Sequence, residues 1–261
     1  MEYEGAVIDL DGTVYRGDRL IDGARDAVRT LRDHGLGVVF VTNNPTRSPA
    51  GYVERLAALG IEADEREVLS AGTVAAEFLA DRHPDDAVFV IGSDGLREQL
   101  RTAAVDTTTD PSAADVVVTS HDYDFDYDAL TDGLWALEEA EAFYGTDPDR
   151  TYPGGDGRPY PGSGAITRAV AGVAEREPDR VLGKPSGVVL ELIGERLAAL
   201  KNCLVVGDGL DTDVALGERA GMTSVLVTTG RSDRADAESA DVTPDHVVDG
   251  LADVPHLFER A

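Results

Sequence analysis

Two carboxylates separated by one residue, Asp9 and Asp11, end a short apolar run near the start of the chain. The preceding residues, AVI, are mostly β-branched and predict a buried strand. Alternate residues of an extended backbone point to the same side, so both carboxylates are expected to face one way. Two acids this close repel each other unless a cation lies between them or one stays protonated. The pair therefore indicates a site for a hard metal ion, a carboxylate nucleophile, or both.

A hydroxyl and two amides follow the next apolar run, where Thr42, Asn43 and Asn44 come after the sequence VVFV. Hydroxyl and amide groups at the end of a strand can donate hydrogen bonds to phosphate oxygens. The alternative is an ordinary turn, in which asparagine side chains bond to the nearby backbone. The segment alone leaves both interpretations open.

One of only two lysines in the chain, Lys184, lies between a short apolar run and a predicted helix. Gly183 before it permits close approach of a ligand, and Ser186 after it can cap the helix. A lysine held at such a point is a compact positive charge suited to a phosphoryl group. A solvated loop lysine is the alternative, which the scarcity of lysine elsewhere disfavours.

A third apolar run, LVV, is followed by three acidic residues within six positions, Asp208, Asp211 and Asp213. At a junction between a strand and a helix, this pattern predicts cation binding.

Two other motifs share parts of these patterns and are excluded by their spacing. A calcium loop of the EF-hand type beginning at Asp9 needs glycine and glutamate where the chain has Val14 and Leu20. A dinucleotide-binding fingerprint beginning at Gly207 has threonine, Thr212, in place of its third glycine, and would bring a pyrophosphate against three carboxylates.

Short apolar runs alternate with helical segments along the chain, which predicts an α/β fold with a parallel sheet. The predicted strands are Ala6–Ile8, Leu36–Val41, Ala87–Ile91, Val116–Thr119, Arg180–Leu182, Cys203–Val206, Ser224–Thr228 and Val247–Val248. In doubly wound sheets, binding sites form at the carboxyl ends of the strands. We therefore expect the four polar motifs to converge at one edge of a Rossmann-like, doubly wound parallel sheet.

The middle of the chain separates the first two motifs from the last two. Its composition becomes rich in Asp at 122–128 and rich in Gly and Pro at 153–164. We predict a core formed by residues 1–67 and 179–261, with residues 68–178 inserted as a separate α/β domain that covers the site.

Together, the four motifs resemble those of the haloacid dehalogenase superfamily, and more closely its NagD-like branch of phosphatases. DLDGT matches the first superfamily motif, DxDG[TV], while VTNN, GKP and GDxxxTD match the second, third and fourth. The resemblance covers essentially the whole chain, and the long middle interval matches the large α/β cap of this branch. Within it, GTDPD resembles the T-N-P-D segment of the branch, with Asp147 where asparagine is commoner.

The resemblance implies a phosphatase that forms an aspartyl-phosphate. Asp9 would attack phosphorus, and Asp11 would protonate the leaving alcohol and then activate water. Thr42, Asn43 and Lys184 would stabilise charge on the transferring phosphoryl group.

The same resemblance implies Mg²⁺ as the cofactor. The ion would be held by Asp9, the backbone carbonyl of Asp11 and Asp208. Asp213 would orient a metal-bound water from outside this ligand set.

The residues expected to contact substrate are Gly12, Asn44, Asp147 and Arg150. A small phosphorylated sugar or polyol is favoured, because a large cap would screen the site from water and from protein substrates. Phosphoglycolate, a nucleotide or an aryl phosphate is the alternative within the family. A non-catalytic protein that binds a phosphorylated metabolite is the alternative from another class, and the presence of all the motif residues disfavours it.

Fifty acidic residues oppose 23 lysines and arginines and give the chain a formal charge of −27, spread over its whole length. This potential repels nucleic acid and anionic membranes, so neither is an expected partner.

The absence of a signal-like or membrane-spanning segment, together with the single cysteine Cys203, predicts a cytoplasmic protein. The sequence leaves open whether the protein forms a homodimer. The charge favours a salt-rich cytoplasm, as in halophiles.

Molar salt should therefore stabilise the fold. At about 1 M salt the Debye length falls to about 3 Å, which removes most of the repulsion between surface carboxylates. We expect the unfolding midpoint, followed by circular dichroism, to rise across a potassium chloride series. A midpoint that stays flat or falls with rising salt would contradict the halophilic interpretation.

Overall fold

The computed structural model describes residues 3–153 and 158–257, and the chain divides into two compact units. The first unit comprises Met1–Thr42, Pro49–Leu69 and Lys184–Ala261, and the second comprises Asn43–Ser48 and Ser70–Gly183. Each unit has its own multistranded sheet with helices, so the predicted α/β core with an inserted α/β domain is confirmed.

The elements are numbered along the chain. The strands are β1 (Gly5–Ile8), β2 (Tyr15–Arg16), β3 (Arg19–Leu20), β4 (Gly37–Thr42), β5 (Val68–Ser70), β6 (Val88–Ile91), β7 (Thr107–Thr108), β8 (Val116–Thr119), β9 (Ala142–Gly145), β10 (Thr151–Pro153), β11 (Pro159–Pro161), β12 (Arg180–Val181), β13 (Cys203–Gly207), β14 (Thr223–Val227) and β15 (His246–Val248). The helices are α1 (Ala24–Asp33), α2 (Pro49–Ala58), α3 (Ala71–Arg82), α4 (Asp94–Thr102), α5 (Tyr127–Glu139), α6 (Ser163–Ala174), α7 (Gly187–Arg196), α8 (Ala215–Ala220) and α9 (Arg234–Ser239). Short 3₁₀ helices lie at Glu65–Glu67, Pro111–Ala113, Leu200–Asn202 and Leu251–Leu257, and a π-helical turn lies at Leu210–Val214.

A six-stranded sheet organises the first unit, in the order β15-β14-β13-β1-β4-β5. β1 pairs in parallel with both β13 and β4, so that Val7 lies opposite Val205 on one side and Val39 on the other. All four residues of β1 are buried. This is expected of a central parallel strand covered on both faces.

The direction of winding of this sheet reverses beside β1. From β1 the chain adds β4 and β5 on one side, and it later returns to add β13, β14 and β15 on the other. In open α/β sheets, the crevice at such a reversal lies at the carboxyl ends of the strands. β1 ends at Ile8 and β13 at Gly207, so the next residues, Asp9 and Asp208, lie at this position.

Helix α1 illustrates how the core of the first unit is assembled. Its buried residues recur at helical spacing and form one apolar stripe: Ala24, Ala27, Val28 and Leu31. This stripe packs into a cluster that also contains Phe40 of β4 and Leu204 of β13. The helix ends before Gly35, whose φ of 83° suits glycine at a helix terminus.

The second unit contains a five-stranded sheet in the order β12-β9-β8-β6-β7. β8 pairs in parallel with β6 and with β9. Its core includes Phe89, Val117 and Phe143 from the strands and Ile166 and Val170 from α6. Among the residues that the structure describes in either unit, no helix is both long and apolar enough to cross a bilayer.

The division of the chain differs from the sequence-based boundaries at three places. Val68 and Leu69, assigned to the inserted domain, belong to the first unit. Strand β12, which falls after the predicted boundary at 178, pairs with β9 in the second unit. The segment Asn43–Ser48 also belongs to that unit. The strands outside the sequence prediction are β2, β3, β5, β7, β9, β10 and β11. All of these except β9 have two or three residues, which are too few to show a strand pattern.

Candidate active site

Three buried carboxylates, those of Asp9, Asp208 and Asp213, form the centre of a candidate active site in the first unit. They offer oxygen atoms that all lie within 4.8 Å of one another. Asp9 follows β1, whereas Asp208 and Asp213 follow β13, the neighbouring strand at the reversal of the sheet. The fold thus brings together acidic residues from motifs near both ends of the chain.

Lys184 supplies positive charge beside these carboxylates. Its Nζ atom donates hydrogen bonds to Asp9 Oδ1 at 2.6 Å and to Asp213 Oδ1 at 2.7 Å. A third bond, at 2.9 Å, goes to the carbonyl oxygen of Val41 in β4. The side chain is 3% exposed, so the alternative of a solvated loop lysine is excluded. Three acceptors match the three donors of an ammonium group.

The Asp9 carboxylate is fixed at both of its oxygens. Lys184 binds Oδ1, and the Thr13 hydroxyl donates to Oδ2 at 3.1 Å. The Asp9 backbone N–H continues the pairing of β1 with β13 through a 2.9 Å bond to the Val206 carbonyl. The last residue of the DLDGT motif therefore orients the first.

Asp208 lies in a space that only glycine leaves open. A Cβ atom at Gly12, where φ is +92°, or at Gly230 would overlap the Asp208 carboxylate. The backbone N–H of Arg231 donates to Asp208 Oδ2 at 2.7 Å, and the Thr229 hydroxyl donates to the Gly12 carbonyl at 2.6 Å. The sequence predicts that Gly12 contacts substrate. In the structure, a glycine is needed at this position because a side chain would overlap Asp208.

Asp213 is turned back towards the sheet by the π-helical turn Leu210–Val214, a type of turn frequent at functional sites. Its Oδ2 atom accepts the backbone N–H of Gly209 at 3.0 Å. A Cβ atom at Gly207 would overlap the Asp213 side chain, and one at Gly209 would overlap Thr212. The glycines of this motif therefore make room for an acidic turn, consistent with the exclusion of a dinucleotide fingerprint.

Burial and neighbouring charges together shift the pKa values of the site. Burial raises the pKa of Asp9 well above its usual range, with Asp213 and Asp208 adding to the rise and Lys184 opposing it. Burial, followed by the charge of Asp213, raises the pKa of Asp208 to about 6. Burial also disfavours the charged form of Lys184, but Asp213 and Asp9 outweigh it and raise the lysine pKa. One lysine thus faces three carboxylates.

The residues of this cluster fit a divalent cation. Their donor atoms are carboxylate oxygens, which suit magnesium and calcium better than zinc. Ionising all three carboxylates beside one lysine leaves excess negative charge in a buried place, and a cation would relieve it. The three carboxylates could therefore hold a hard metal ion.

Asp11 and Thr42 lie at the same edge of the first unit's sheet but outside the carboxylate cluster. Asp11 is exposed, and it forms a backbone bridge with Tyr15. Thr42 is the last residue of β4, is 3% exposed and directly follows Val41, which binds Lys184.

Asn43 and Asn44 belong to the second unit. Asn43 is buried, and a Cβ atom at Gly183 would lie 2.7 Å from its Oδ1 atom. The Asn44 Oδ1 atom accepts hydrogen bonds from the backbone N–H of Thr46 at 3.1 Å and from its hydroxyl at 2.7 Å. Bonds of this kind are typical of an ordinary turn, which the sequence analysis gives as the alternative to phosphate binding.

Asp147 is buried in the second unit and is 2% exposed. Its carboxylate accepts hydrogen bonds from the Thr146 hydroxyl and from the backbone N–H of Asp149, each at 3.1 Å. In this structure the carboxylate therefore binds its own loop. The Arg150 side chain is exposed, and its carbonyl accepts the N–H of Gly162 at 2.9 Å.

The segment Thr229–Arg231 contacts the site, although none of the four sequence motifs includes it. It follows β14 and supplies the Arg231 N–H that orients Asp208. The glycine within TTGR, directly after a predicted strand, was the available signal, because a glycine there permits close approach of another group.

Comparison with known proteins shows the family of the chain. A model of haloacid dehalogenase-like hydrolases matches residues 6–106, and a HAD-hydrolase-like model matches residues 181–254. The sugar-phosphatase AraL of Bacillus subtilis is 36% identical over 98% of this chain and 93% of its own. The 5'-nucleotidase YutF of the same organism is 33% identical over 98% of this chain and 99% of its own.

Solved structures share the whole fold. A p-nitrophenyl phosphatase from Archaeoglobus fulgidus is 35% identical, with a TM-score of 0.92 over 98% of this chain and 100% of its own. NagD-type proteins are among the other structures with this fold. The resemblance inferred from the four motifs is confirmed.

The buried Asp147 carboxyl should make stability depend on pH. Burial, with a contribution from Asp149, raises its pKa from 3.8 to about 7. The folded chain therefore retains a proton that the unfolded chain releases near pH 3.8. The associated stability is fully present below that pH and is lost as the pH rises to about 7, by at most about 1.4 kcal/mol per pH unit.

Asp147→Asn should consequently unfold at a higher temperature than the wild type at pH 8, and this gain should shrink towards pH 4. The exposed Asp124→Asn is the matched control, since it removes one carboxylate without a burial cost. Thermal melts of the three proteins between pH 4 and pH 8 test this. A gain for Asp147→Asn that is independent of pH, or equal to that of the control, would show that the buried carboxyl is not its source.

Proposed function

The chain belongs to the haloacid dehalogenase-like hydrolases and is a phosphatase, and on this basis we propose that it hydrolyses a small phosphorylated metabolite through an aspartyl-phosphate on Asp9. The observation that carries the proposal is the fixed Asp9 carboxylate within the buried cluster of Asp208, Asp213 and Lys184. Such an arrangement holds a nucleophile and gathers charge around a phosphoryl group.

In the first step, an Asp9 carboxylate oxygen forms a bond to phosphorus while the bond between phosphorus and the leaving oxygen breaks. Thr13 and Lys184 bind the two Asp9 oxygens and so limit the rotation of the nucleophile. Holding a nucleophile in an attacking geometry can supply several kcal/mol of the barrier reduction, up to about 7–11 kcal/mol in favourable cases.

Asp11 is the proposed general acid and base. Its carboxyl proton passes to the leaving oxygen in the first step. In the second step, the Asp11 carboxylate takes a proton from the water that attacks phosphorus, which releases phosphate and restores Asp9. Exposure of Asp11 supports this role, because both the leaving alcohol and water must reach it.

The proposed cofactor is Mg²⁺, held by Asp9, the Asp11 carbonyl and Asp208, with Asp213 beside it. When bound, it would neutralise negative charge in the cluster and polarise the phosphoryl oxygens. The all-oxygen donor set and the excess of carboxylates over positive charge support this choice.

Thr42, Asn43 and Lys184 are the proposed stabilisers of charge on the transferring phosphoryl group. Lys184 already binds two carboxylates and a carbonyl, so part of its function is to position Asp9 and Asp213. A phosphoryl oxygen would share or replace one of these acceptors.

A sugar or polyol phosphate is the favoured substrate, and phosphoglycolate, a nucleotide or an aryl phosphate is the alternative within the family. The name of AraL, a sugar-phosphatase, supports the first, and that of YutF, a 5'-nucleotidase, supports the second. We propose that the second unit is the cap that selects among them, with the exposed Arg150 available to an anionic substrate. A non-catalytic binding protein is disfavoured because the acidic cluster and its lysine are complete.

Substitution of the two N-terminal carboxylates should separate the steps. Asp9→Asn should abolish turnover, because an amide is not a competent nucleophile. Asp11→Asn should lower turnover about 10²–10⁴-fold by removing general acid–base catalysis. With 4-nitrophenyl phosphate, whose leaving group needs little protonation, Asp11→Asn should also accumulate labelled phosphoenzyme.

The exposed Asp33→Asn is the control and should retain wild-type activity and show no extra phosphoenzyme. Rapid acid quenching of radiolabelled reactions measures the phosphoenzyme. Substantial turnover by Asp9→Asn, or phosphoenzyme in the double variant that lacks both carboxylates, would refute the proposed nucleophile.

A further inference from the structure

The hairpin formed by β2 and β3 begins shortly after Asp11 and is held by one side chain from helix α2, that of Arg55. The guanidinium carbon of Arg55 lies 4.3 Å from the centroid of the Tyr15 ring, which is 1% exposed. Its Nη atoms donate to the carbonyl of Gly17 and, at 3.3 Å, to Asp18 Oδ1. Arg55 thus binds both the first residue of the hairpin and its tip.

The residue beneath Arg55 is coupled directly to Asp11. The Tyr15 carbonyl accepts the N–H of Gly12 at 2.8 Å, and Tyr15 forms a backbone bridge with Asp11. Burial raises the pKa of the Tyr15 phenol, the negative charge of Asp11 adds to the rise, and the charge of Arg55 opposes it. The charges of Asp11 and Arg55 therefore both act on the phenol.

The second residue of β2, Arg16, connects the hairpin to the carboxylate cluster. Arg16 donates to the carbonyl of Thr229, and the Thr229 hydroxyl donates to the carbonyl of Gly12. Two arginines therefore fix the hairpin: Arg16 ties it to the loop that orients Asp208, and Arg55 ties it to helix α2. Both sets of contacts lie within the first unit.

Arg55 has a feature that packing alone does not explain. Its Nε–H is buried, and no residue in the described part of the chain accepts a hydrogen bond from it. An unmade buried hydrogen bond opposes folding, and an unpaired buried donor in a native structure calls for an explanation. Arg55 therefore keeps its contacts with the hairpin at the cost of one unmade hydrogen bond, which favours a role for it beyond packing.

We propose that Arg55 is a positioning residue for Asp11, acting through Tyr15 and the hairpin so that the Asp11 carboxyl is aligned with the leaving oxygen. The inference rests on the proposed function, in which Asp11 gives its proton to that oxygen as the bond to phosphorus breaks. A displacement of about 1 Å in a catalytic group can cost about 10²-fold in rate. Loosening the hairpin should therefore weaken proton donation while leaving the Asp9 nucleophile in place.

Loss of proton donation has a signature that partial unfolding lacks. A 4-nitrophenolate leaving group departs with little protonation, whereas phenolate needs more help. The ratio of kcat/KM for 4-nitrophenyl phosphate to that for phenyl phosphate thus rises when the general acid is impaired. This ratio does not depend on the fraction of enzyme that is folded, so it reports on chemistry alone.

The experiment measures this ratio for the wild type, Asp11→Asn, Arg55→Met, Arg55→Lys and Arg29→Met. Arg29 is the matched control, because it lies on α1 with its side chain 67% exposed. We expect the ratio to rise at least 10-fold in Asp11→Asn, about 3–10-fold in Arg55→Met, and not at all in Arg29→Met. Arg55→Lys should also raise it, since an ammonium group cannot cover the ring and bind the hairpin tip together.

The outcomes separate the two proposals. A raised ratio in Asp11→Asn with an unchanged ratio in both Arg55 variants would overturn the role of Arg55 and leave the proposed function intact. An unchanged ratio in Asp11→Asn would overturn the acid role of Asp11 on which the inference rests. If Arg55→Met yields no folded protein, the ratio for Arg55→Lys decides the question in the same way.

Discussion

The confinement of three carboxylates around one buried lysine is the constraint on which the rest of the site depends. Each carboxylate would be far more stable in water than in the interior. They are held there because β1 and β13 are neighbours at the reversal of the sheet and their next residues leave at the same point. Lys184 then bridges Asp9 and Asp213, which fixes two of the three.

The choice of lysine at this point has a physical reason. All but two of the 23 basic residues in the chain are arginines, which bind carboxylates through a planar fork. The acceptors around Lys184 are two carboxylates and a carbonyl from separate elements, all converging on one atom. A compact ammonium group with three rotating donors fits this arrangement, and a flat guanidinium does not.

The sequence was sufficient to predict the α/β core and the motifs at its strand ends because those features are local. An apolar β-branched run followed by DLDGT or GDGLDTD predicts a strand with a polar motif at its end from a few consecutive residues. Membership in the family followed from the order of the four motifs.

Features that depend on contacts between residues far apart in the chain could not be predicted from the sequence. Arg55 is one of many arginines on a helix, and only the fold brings it over Tyr15. The Arg231 N–H reaches Asp208 because β14 lies next to β13, which no local pattern states. The burial of the Asp147 carboxylate was likewise not predictable, because it depends on how the loop around it packs.

The central claim is that the carboxylate cluster is completed by a divalent cation, and the stability of the protein tests it most directly. Thermal unfolding of the wild type and of Asp208→Asn would be followed while magnesium chloride replaces potassium chloride at constant ionic strength. A cation that binds only the folded state adds about 2.7 kcal/mol at a concentration 100 times its Kd. The account predicts a midpoint that rises with magnesium in the wild type and stays nearly constant in Asp208→Asn. A wild-type midpoint that does not respond, or an equal rise in both proteins, would contradict it.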